Sequence, residues 1–300
     1  MNRGSYYLST TNNHIGRSIL LKIVLMGDLH YPAIDETIPG LLEARDAFYE
    51  QLIGHFLNID ADFYVSIGDL TNFGHASELQ EVYALLSRDN KTFYHTLGNH
   101  DLYSMTRQEV LELTGQSRYH SLTTDHAVFV FLDTAKELDF EDWGGWVDEE
   151  QLHWFENIVK ASGTKPLLVF GHHPVYHTTK RSENDKGSIH PSIDMWEILE
   201  QKDGVGLYFN GHTHIDSIEQ IENWTFVQTS ACLDQQAFRQ IEITEDEIVI
   251  TAIDVDDEAL SNHATTIYNH INHYKHQPDA RGDAEDRACT VSLLPAEALS

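Results

Sequence analysis

Six apolar runs of strand length constrain this chain most, because five of them close on a glycine followed at once by polar residues. They are "LLKIVLMG" (20–27), "DFYVSIG" (62–68), "KTFYHTLG" (91–98), "PLLVFG" (166–171) and "VGLYFNG" (205–211), with "AVFVFLD" (127–133) as the sixth. Between the early runs, roughly 39–57 and 76–87 place apolar residues at helical spacing: Leu41, Leu42, Phe48, Leu52 and Phe56 in the first. "VDEEQLHWFENIVKA" (147–161) reads as an amphipathic helix with Leu152, Phe155 and Val159 on its apolar stripe. Strand-length runs alternating with helical segments predict βαβ units and a mostly buried sheet. From about 216 the texture changes to short strands, "DSIEQI", "WTFVQTS", "FRQIEIT" and "EIVITAID". These predict an antiparallel meander that completes a second sheet, so the expected fold is an α/β two-sheet sandwich flanked by helices.

The expected boundaries are a polar extension over 1–18, one domain over 19–261, and a polar, His-rich, partly ordered tail over 262–300. No internal repeat or glycine-rich linker divides the chain. Its 48 Asp and Glu against 19 Lys and Arg give a formal net charge of −29. Such a chain repels polyanions, which excludes loose binding to long nucleic acid or to an anionic membrane. Two cysteines outside any CxxC pair, Cys232 and Cys289, exclude a thiolate zinc site and fit a reducing compartment. The polar start has no signal-peptide core and "ILLKIVLM" is too short to span a bilayer, so a cytoplasmic location is expected.

The strand exits carry one chemistry. They supply Asp28 and His30 ("GDLH"), Asp69 and Asn72 ("GDLTN"), Asn99, His100 and Asp101 ("GNHD"), His172 and His173 ("GHHP"), and His212 and His214 ("GHTH"). A lone histidine is ordinarily a core residue bonded to backbone, and a lone Asp-x-His is ordinarily a turn. Five such pieces at five strand exits are a different matter, since ligands bind beyond the carboxyl ends of strands in open α/β sheets. Carboxylate and imidazole donors without thiolate suit Mn, Fe or Zn, and the count suffices for two divalent ions. A pair of ions about 3.5–4 Å apart clamps the attacking and leaving oxygens of a displacement at phosphorus. Two such ions, two carboxylates and a hydroxide leave about +1, enough to admit a phosphodiester into an acidic protein.

The series "GDLH", "GDLTN", "GNHD", "GHHP", "GHTH", in this order over 26–214, resembles the calcineurin-like metallophosphoesterase superfamily. The resemblance implies a four-layer αββα sandwich of two mixed sheets and a dinuclear centre. One ion would be held by Asp28, His30, Asp69 and His214, the other by Asp69, Asn99, His172 and His212. His100 would contact the phosphate and protonate the leaving oxygen while a metal-bridging hydroxide attacks phosphorus. Asp101 is expected to orient its turn or a histidine ligand rather than to bind metal, and His173 to touch substrate or support a ligand. Protein Ser/Thr phosphatases carry Asp-Arg where this chain has Asn72-Phe73, and purple acid phosphatases carry an iron-binding tyrosine at the Asn72 position. Neither pattern fits. "GDLTNFG", "GNHD" and "GGWVDEEQLHWFE" look most similar to the cyclic-nucleotide and glycerophosphodiester phosphodiesterase branch. The implied activity is hydrolysis of small phosphodiesters. A phosphomonoesterase or nucleotide pyrophosphatase on the same centre is the alternative; a non-catalytic scaffold would have eroded ligands, and here the set is intact.

Asn72 stands where some relatives have an aspartate that orients the catalytic histidine, so its amide is expected to touch His100 or substrate, or else to hold a turn. The segment 175–192 reads as a rim loop with a basic cluster, Lys180, Arg181 and Lys186, shaping substrate preference more than metal binding. His177 and His190 lie on it, within reach of substrate or simply solvated. His270, His273 and His276 would share a face on a helix, ordinarily a solvated or dimer-contacting one; a homo-oligomer stays open. Trp143, Trp146 and Trp154 are expected to pack rather than to form a base-stacking platform.

Overall fold

The computed structural model describes residues 18–294. Alternation along each strand decides the layers. In β1 (Leu21–Met26), Ile23 and Leu25 face a core between two sheets, while Val24 and Met26 face a core under helices. In β5 (Val128–Phe131), Phe129 and Phe131 enter the same inter-sheet core and Val128 and Val130 enter a third one on the far side. Strands buried on both faces read as continuous apolar runs, which is why these runs stood out.

The first sheet takes β2 (Phe63–Ser66) and β3 (Phe93–His95) parallel to β1. On the other side of β1 it adds β10 (Ala237–Ile243), β11 (Glu247–Asp254) and β12 (Ala288–Ser292), all antiparallel. The second sheet runs β4 (His120–Thr123), β5, β6 (Leu167–Phe170), β7 (Gly206–Asn210), β9 (Trp224–Gln228), β8 (Ser217–Ile221). Helices α1 (Leu41–Asn58), α2 (Ala76–Leu86) and α6 (Glu258–Tyr268) bury their apolar faces on the first sheet. Helices α4 (Glu149–Ser162) and α5 (Met195–Leu199) cover the second. The short α3 (Arg107–Thr114) caps one end beside α2. The result is the expected αββα sandwich of two mixed sheets. Asp148 accepts a hydrogen bond from the Gln151 amide at the start of α4, and the helix stops before Gly163.

Two expectations change. The strands after 216 do not form one meander: β8 and β9 join the second sheet, and β10, β11 and β12 join the first. Alternation says that a strand is buried but not against which sheet, and the crossover through 229–236 carries no periodic signal. The segment from 262, expected as a partly ordered tail, is built into the fold, since α6 continues to Tyr268 and β12 pairs along β11. Between them the chain crosses the strand-exit end, held by ion pairs from Arg181 to Asp279 and from Lys180 to Asp286. The expected extension over 1–18 lies outside the described residues but for its last. No helix among the described residues is long and apolar enough to cross a membrane.

Candidate metal centre

Parallel strands β1, β2, β3 of one sheet and β6, β7 of the other point their carboxyl ends at the same place, so the five turns converge. The turns are tight. A Cβ on Gly98 would lie 2.1 Å from Asp69 Oδ1, and one on Gly211 would lie 2.2 Å from Asp28 Oδ1. His30, Asp69, His212 and His214 adopt positive φ of 51°, 48°, 73° and 55°. Non-glycine residues rarely do so, and the local strain of about 1–3 kcal/mol each clusters at functional sites.

Asp28, His30, Asp69 and His214 form one group whose donor atoms lie within 4.8 Å of one another. His30 Nε2 and His214 Nε2 are 3.0 Å apart, and Asp28 Oδ2 is 3.3 Å from His214 Nε2. Buried Asp28 Oδ1 and His30 Nδ1 have no hydrogen-bond partner among the described residues. At the neighbouring position the other nitrogen of each ring is occupied. His172 Nδ1 faces the Ile67 carbonyl at 2.9 Å, and His212 Nε2 faces the Lys186 carbonyl at 2.8 Å. In its neutral form each ring thus donates to a carbonyl and turns a lone pair inward. His172 Nε2 and His212 Nδ1 are 3.3 Å apart, with Asn99 Oδ1 at 3.1 and 3.0 Å from them. The Asn99 amide nitrogen donates to Tyr103 at 2.6 Å, which fixes its oxygen toward the imidazoles. Asp69 Oδ2 sits between the two groups, 3.3 Å from His172 Nε2 and 3.9 Å from His30 Nε2. Acceptors aimed at one another without a donor are what a cation site needs, so the donor set fits two metal positions sharing Asp69.

Electrostatics agree. Burial pushes His212 and His214 down to about 3 and His30 well below its usual value, leaving neutral rings suited to metal binding. Burial opposes protonation of His172 too, but the Asp69 and Asp28 carboxylates outweigh it and raise this ring to about 9. Burial also pushes Asp28 up. For Asp69 burial is outweighed by His172 and His100, which hold it well down.

His100 lies beside this set without joining it. Its amide donates to Asp69 Oδ1 at 2.8 Å, and its Nδ1 is 2.6 Å from the Asn72 carbonyl, while no hydrogen bond among the described residues reaches its Nε2. The expected contact of the Asn72 amide with His100 is therefore not what the structure has. The main chain of Asn72 holds His100, and its side chain donates to the Asn272 carbonyl at 2.9 Å. Asp101 accepts from the Thr71 and Gly98 amides, each at 2.9 Å, and from His95 at 3.2 Å, so it ties the turns together and touches no ligand. His173 is near enough to His172 and His212 to be grouped with them as a ligand. Both of its nitrogens are engaged, by Thr134 at 2.8 Å and by the Trp143 carbonyl at 2.9 Å, so neither points a lone pair at the other two imidazoles.

Several neighbours had no sequence signal. Asp234 Oδ2 stands 3.7 Å from His214 Nδ1, and its other oxygen accepts from His276 at 2.7 Å and from the Gln277 amide at 3.1 Å. Tyr274 stacks on His214 with ring centroids 5.3 Å apart. His270, His273 and His276 share no helix face, because α6 ends at Tyr268; His273 instead lines the cleft and His276 stacks on Tyr268. The cleft over the centre measures about 770 Å³. The rim loop reaches it through Arg181, Asn184, Asp185 and Gly187, whereas His177 pairs with Glu183 and His190 with Ser192. The basic cluster is largely spent: Lys180 binds Asp286, Arg181 binds Asp279, and the Lys186 ammonium lies 4.1 Å over the Trp143 ring. The loop also touches the site through its main chain, where the Lys186 carbonyl meets His212 Nε2 at 2.8 Å. Trp154 packs on Tyr119, but Trp143 and Trp146 are 42% and 46% exposed and do not pack as expected.

A family model described as calcineurin-like phosphoesterase matches residues 21–216. A probable cyclic nucleotide phosphodiesterase of Rhodopseudomonas palustris is 25% identical over 203 residues, covering 65% of this chain and 72% of the relative. A 3′,5′-cyclic-nucleotide phosphodiesterase of Nostoc is 22% identical over 167 residues, 56% of this chain and 61% of the relative. Among solved structures, GAP50, the anchor in the inner membrane complex of Plasmodium, superposes with a TM-score of 0.53 at 16% identity, covering 87% of this chain and 91% of its own. The purple acid phosphatase PPD1 of yellow lupin gives 0.50 at 14% identity, with 79% and 52% covered. These two likenesses concern the fold alone.

Proposed function

The chain belongs to the calcineurin-like phosphoesterase family, and from that premise we propose that it hydrolyses small phosphodiesters at a two-ion centre. One observation carries the reading: two acceptor sets share Asp69, and beside them His100 Nε2 has no hydrogen-bond partner among the described residues. The first position is Asp28, His30, Asp69 and His214; the second is Asp69, Asn99, His172 and His212. Divalent ions of the Mn, Fe or Zn type supply positive charge opposite the phosphoryl oxygens and acidify water.

The chain's own residues do the rest. The Asn72 carbonyl fixes the His100 tautomer with hydrogen on Nδ1, so a protonated His100 can give its Nε2 proton to the departing alkoxide. The Asp69 contact to the His100 amide ties that acid to the carboxylate the two positions share. Both matched curated relatives bear cyclic-nucleotide phosphodiesterase names, which supports a diester over a monoester. Two free cysteines, Cys232 and Cys289, support a reducing cytoplasmic setting.

Hydrolysis of bis(p-nitrophenyl) phosphate and of p-nitrophenyl phosphate by Mn²⁺-loaded protein tests the reading. The diester is expected to be preferred. Preference for the monoester would replace it with a phosphomonoesterase on the same site.

A further inference from the structure

Three rings, Tyr103, Phe140 and His273, line the His100 side of the cleft, and Phe73 packs against all three. Phe73, Tyr103, Phe140 and His273 meet with centroids 4.5 Å apart for Phe73 and His273, 5.0 Å for Phe140 and His273, and 5.4 Å for Tyr103 and Phe140. Tyr103 in turn lies 4.7 Å from the His100 ring. Phe140 is 47% exposed although it belongs to this cluster and lines the cleft. An exposed large aromatic at the mouth of a cleft is a surface kept for contact. Trp143 lines the cleft too, but the Lys186 ammonium covers one of its faces.

Phe73 and Tyr103 follow the metal turns directly, one after Asn72 and the other just past Asp101, but the remaining two rings come from outside those turns. Phe140 comes from the loop before α4. His273 comes from the crossing segment after α6, beyond the 21–216 stretch that the family model matches. That segment is pinned where it crosses, by Asn72 on Asn272 and by Asp234 on Gln277. It also brings Lys275 into the cleft, exposed and without a side-chain partner among the described residues. In a chain of net charge −29, a free ammonium there favours an anionic ligand.

Resting on the phosphodiesterase reading, we propose that the Phe140–His273 wall is a subsite for a flat heteroaromatic group on the leaving alcohol, so that the substrates are nucleoside phosphodiesters rather than glycerophosphodiesters. The wall adjoins His100, and His100 faces the departing oxygen, so the nucleoside that carries this oxygen lays its base on the wall. In a 3′,5′-cyclic monophosphate the P–O3′ bond breaks, O3′ takes the proton, and the nucleoside stays joined to phosphorus through O5′. Base-on-aromatic stacking is tolerant of which base is present, so discrimination among bases is expected to be weak.

The test measures kcat/KM for a nucleoside 3′,5′-cyclic monophosphate and for glycerophosphoethanolamine, which has no ring, using the Mn²⁺-loaded 300-residue chain. In Phe140→Ala and in His273→Ala the nucleotide-to-glycerol ratio is expected to fall about tenfold, chiefly through KM. Phe140→Tyr, which keeps a flat ring, is expected to restore it, and this guards against an Ala variant that folds poorly. An unchanged ratio in both Ala variants, with both esters still hydrolysed, overturns the subsite and leaves the phosphodiesterase reading standing. Wild-type protein that cleaves neither diester but cleaves a monoester overturns both.

Discussion

His172 Nε2 and His212 Nδ1 face one another at 3.3 Å, each ring having given its other nitrogen to a backbone carbonyl. With Asn99 Oδ1 at hydrogen-bond distance from both, the neutral rings would leave three acceptors with no donor among them. Without a cation one of them must hold a proton, and the carboxylates make it His172. Its pKa of about 9 lies above the ordinary 6.5, so at neutral pH the metal-free ring is an imidazolium. A metal must displace that proton. Loading should therefore release at least one proton per chain, with apparent affinity rising about tenfold per pH unit up to about pH 9. His212 and His214, at about 3, stay neutral throughout this window. The raised pKa also stabilises the metal-free fold fully below 6.5, and that contribution is lost as pH passes 9. Calorimetric titration with Mn²⁺ in buffers of different ionisation enthalpy reads the proton count, and a value of zero at pH 7 would contradict the assignment.

His100 touches no other side chain of the ligand set by hydrogen bond; its amide alone reaches Asp69. Replacing it by Ala should leave metal content intact and lower kcat by about 10²–10⁴ on diesters with poor leaving groups. The loss should be much smaller with p-nitrophenolate, which departs without a proton. Equal losses on both kinds of ester would remove His100 from the role of acid.

Asn72 divides its work between main chain and side chain. Asn72→Ala keeps the carbonyl that holds His100 and loses the bond to Asn272, worth about 1 kcal/mol. The crossing segment loosens and the acid stays in place, so KM should rise while kcat changes little. A drop in kcat matching that of His100→Ala would show that the side chain orients the acid after all.

How much of this was legible follows from where the information lies. Asp28, Asp69, Asn99, His172 and His212 each sit directly after a glycine at the end of an apolar run, so a short window shows strand, turn and ligand together. Their convergence needs only that the strands be parallel, which the alternation with helices indicates. The supports are different in kind. Asp234 reaches His214 from a crossover without periodicity, and His273 and Tyr274 come from a polar stretch that resembles a solvated tail. The role of Asn72 belongs to a carbonyl, which every residue has, and no side-chain pattern can announce it. Lys180 and Arg181 looked available for substrate because the acids that hold them, Asp286 and Asp279, lie about a hundred residues further along the chain.

The two-ion reading is tested most directly by stripping the protein with a chelator and restoring Mn²⁺ stepwise, following bound metal and diester turnover together. Two ions should bind per chain, turnover should depend on the second, and His214→Ala and His172→Ala should each retain one ion with little activity. Full turnover by the stripped protein, or with a single ion bound, would contradict it.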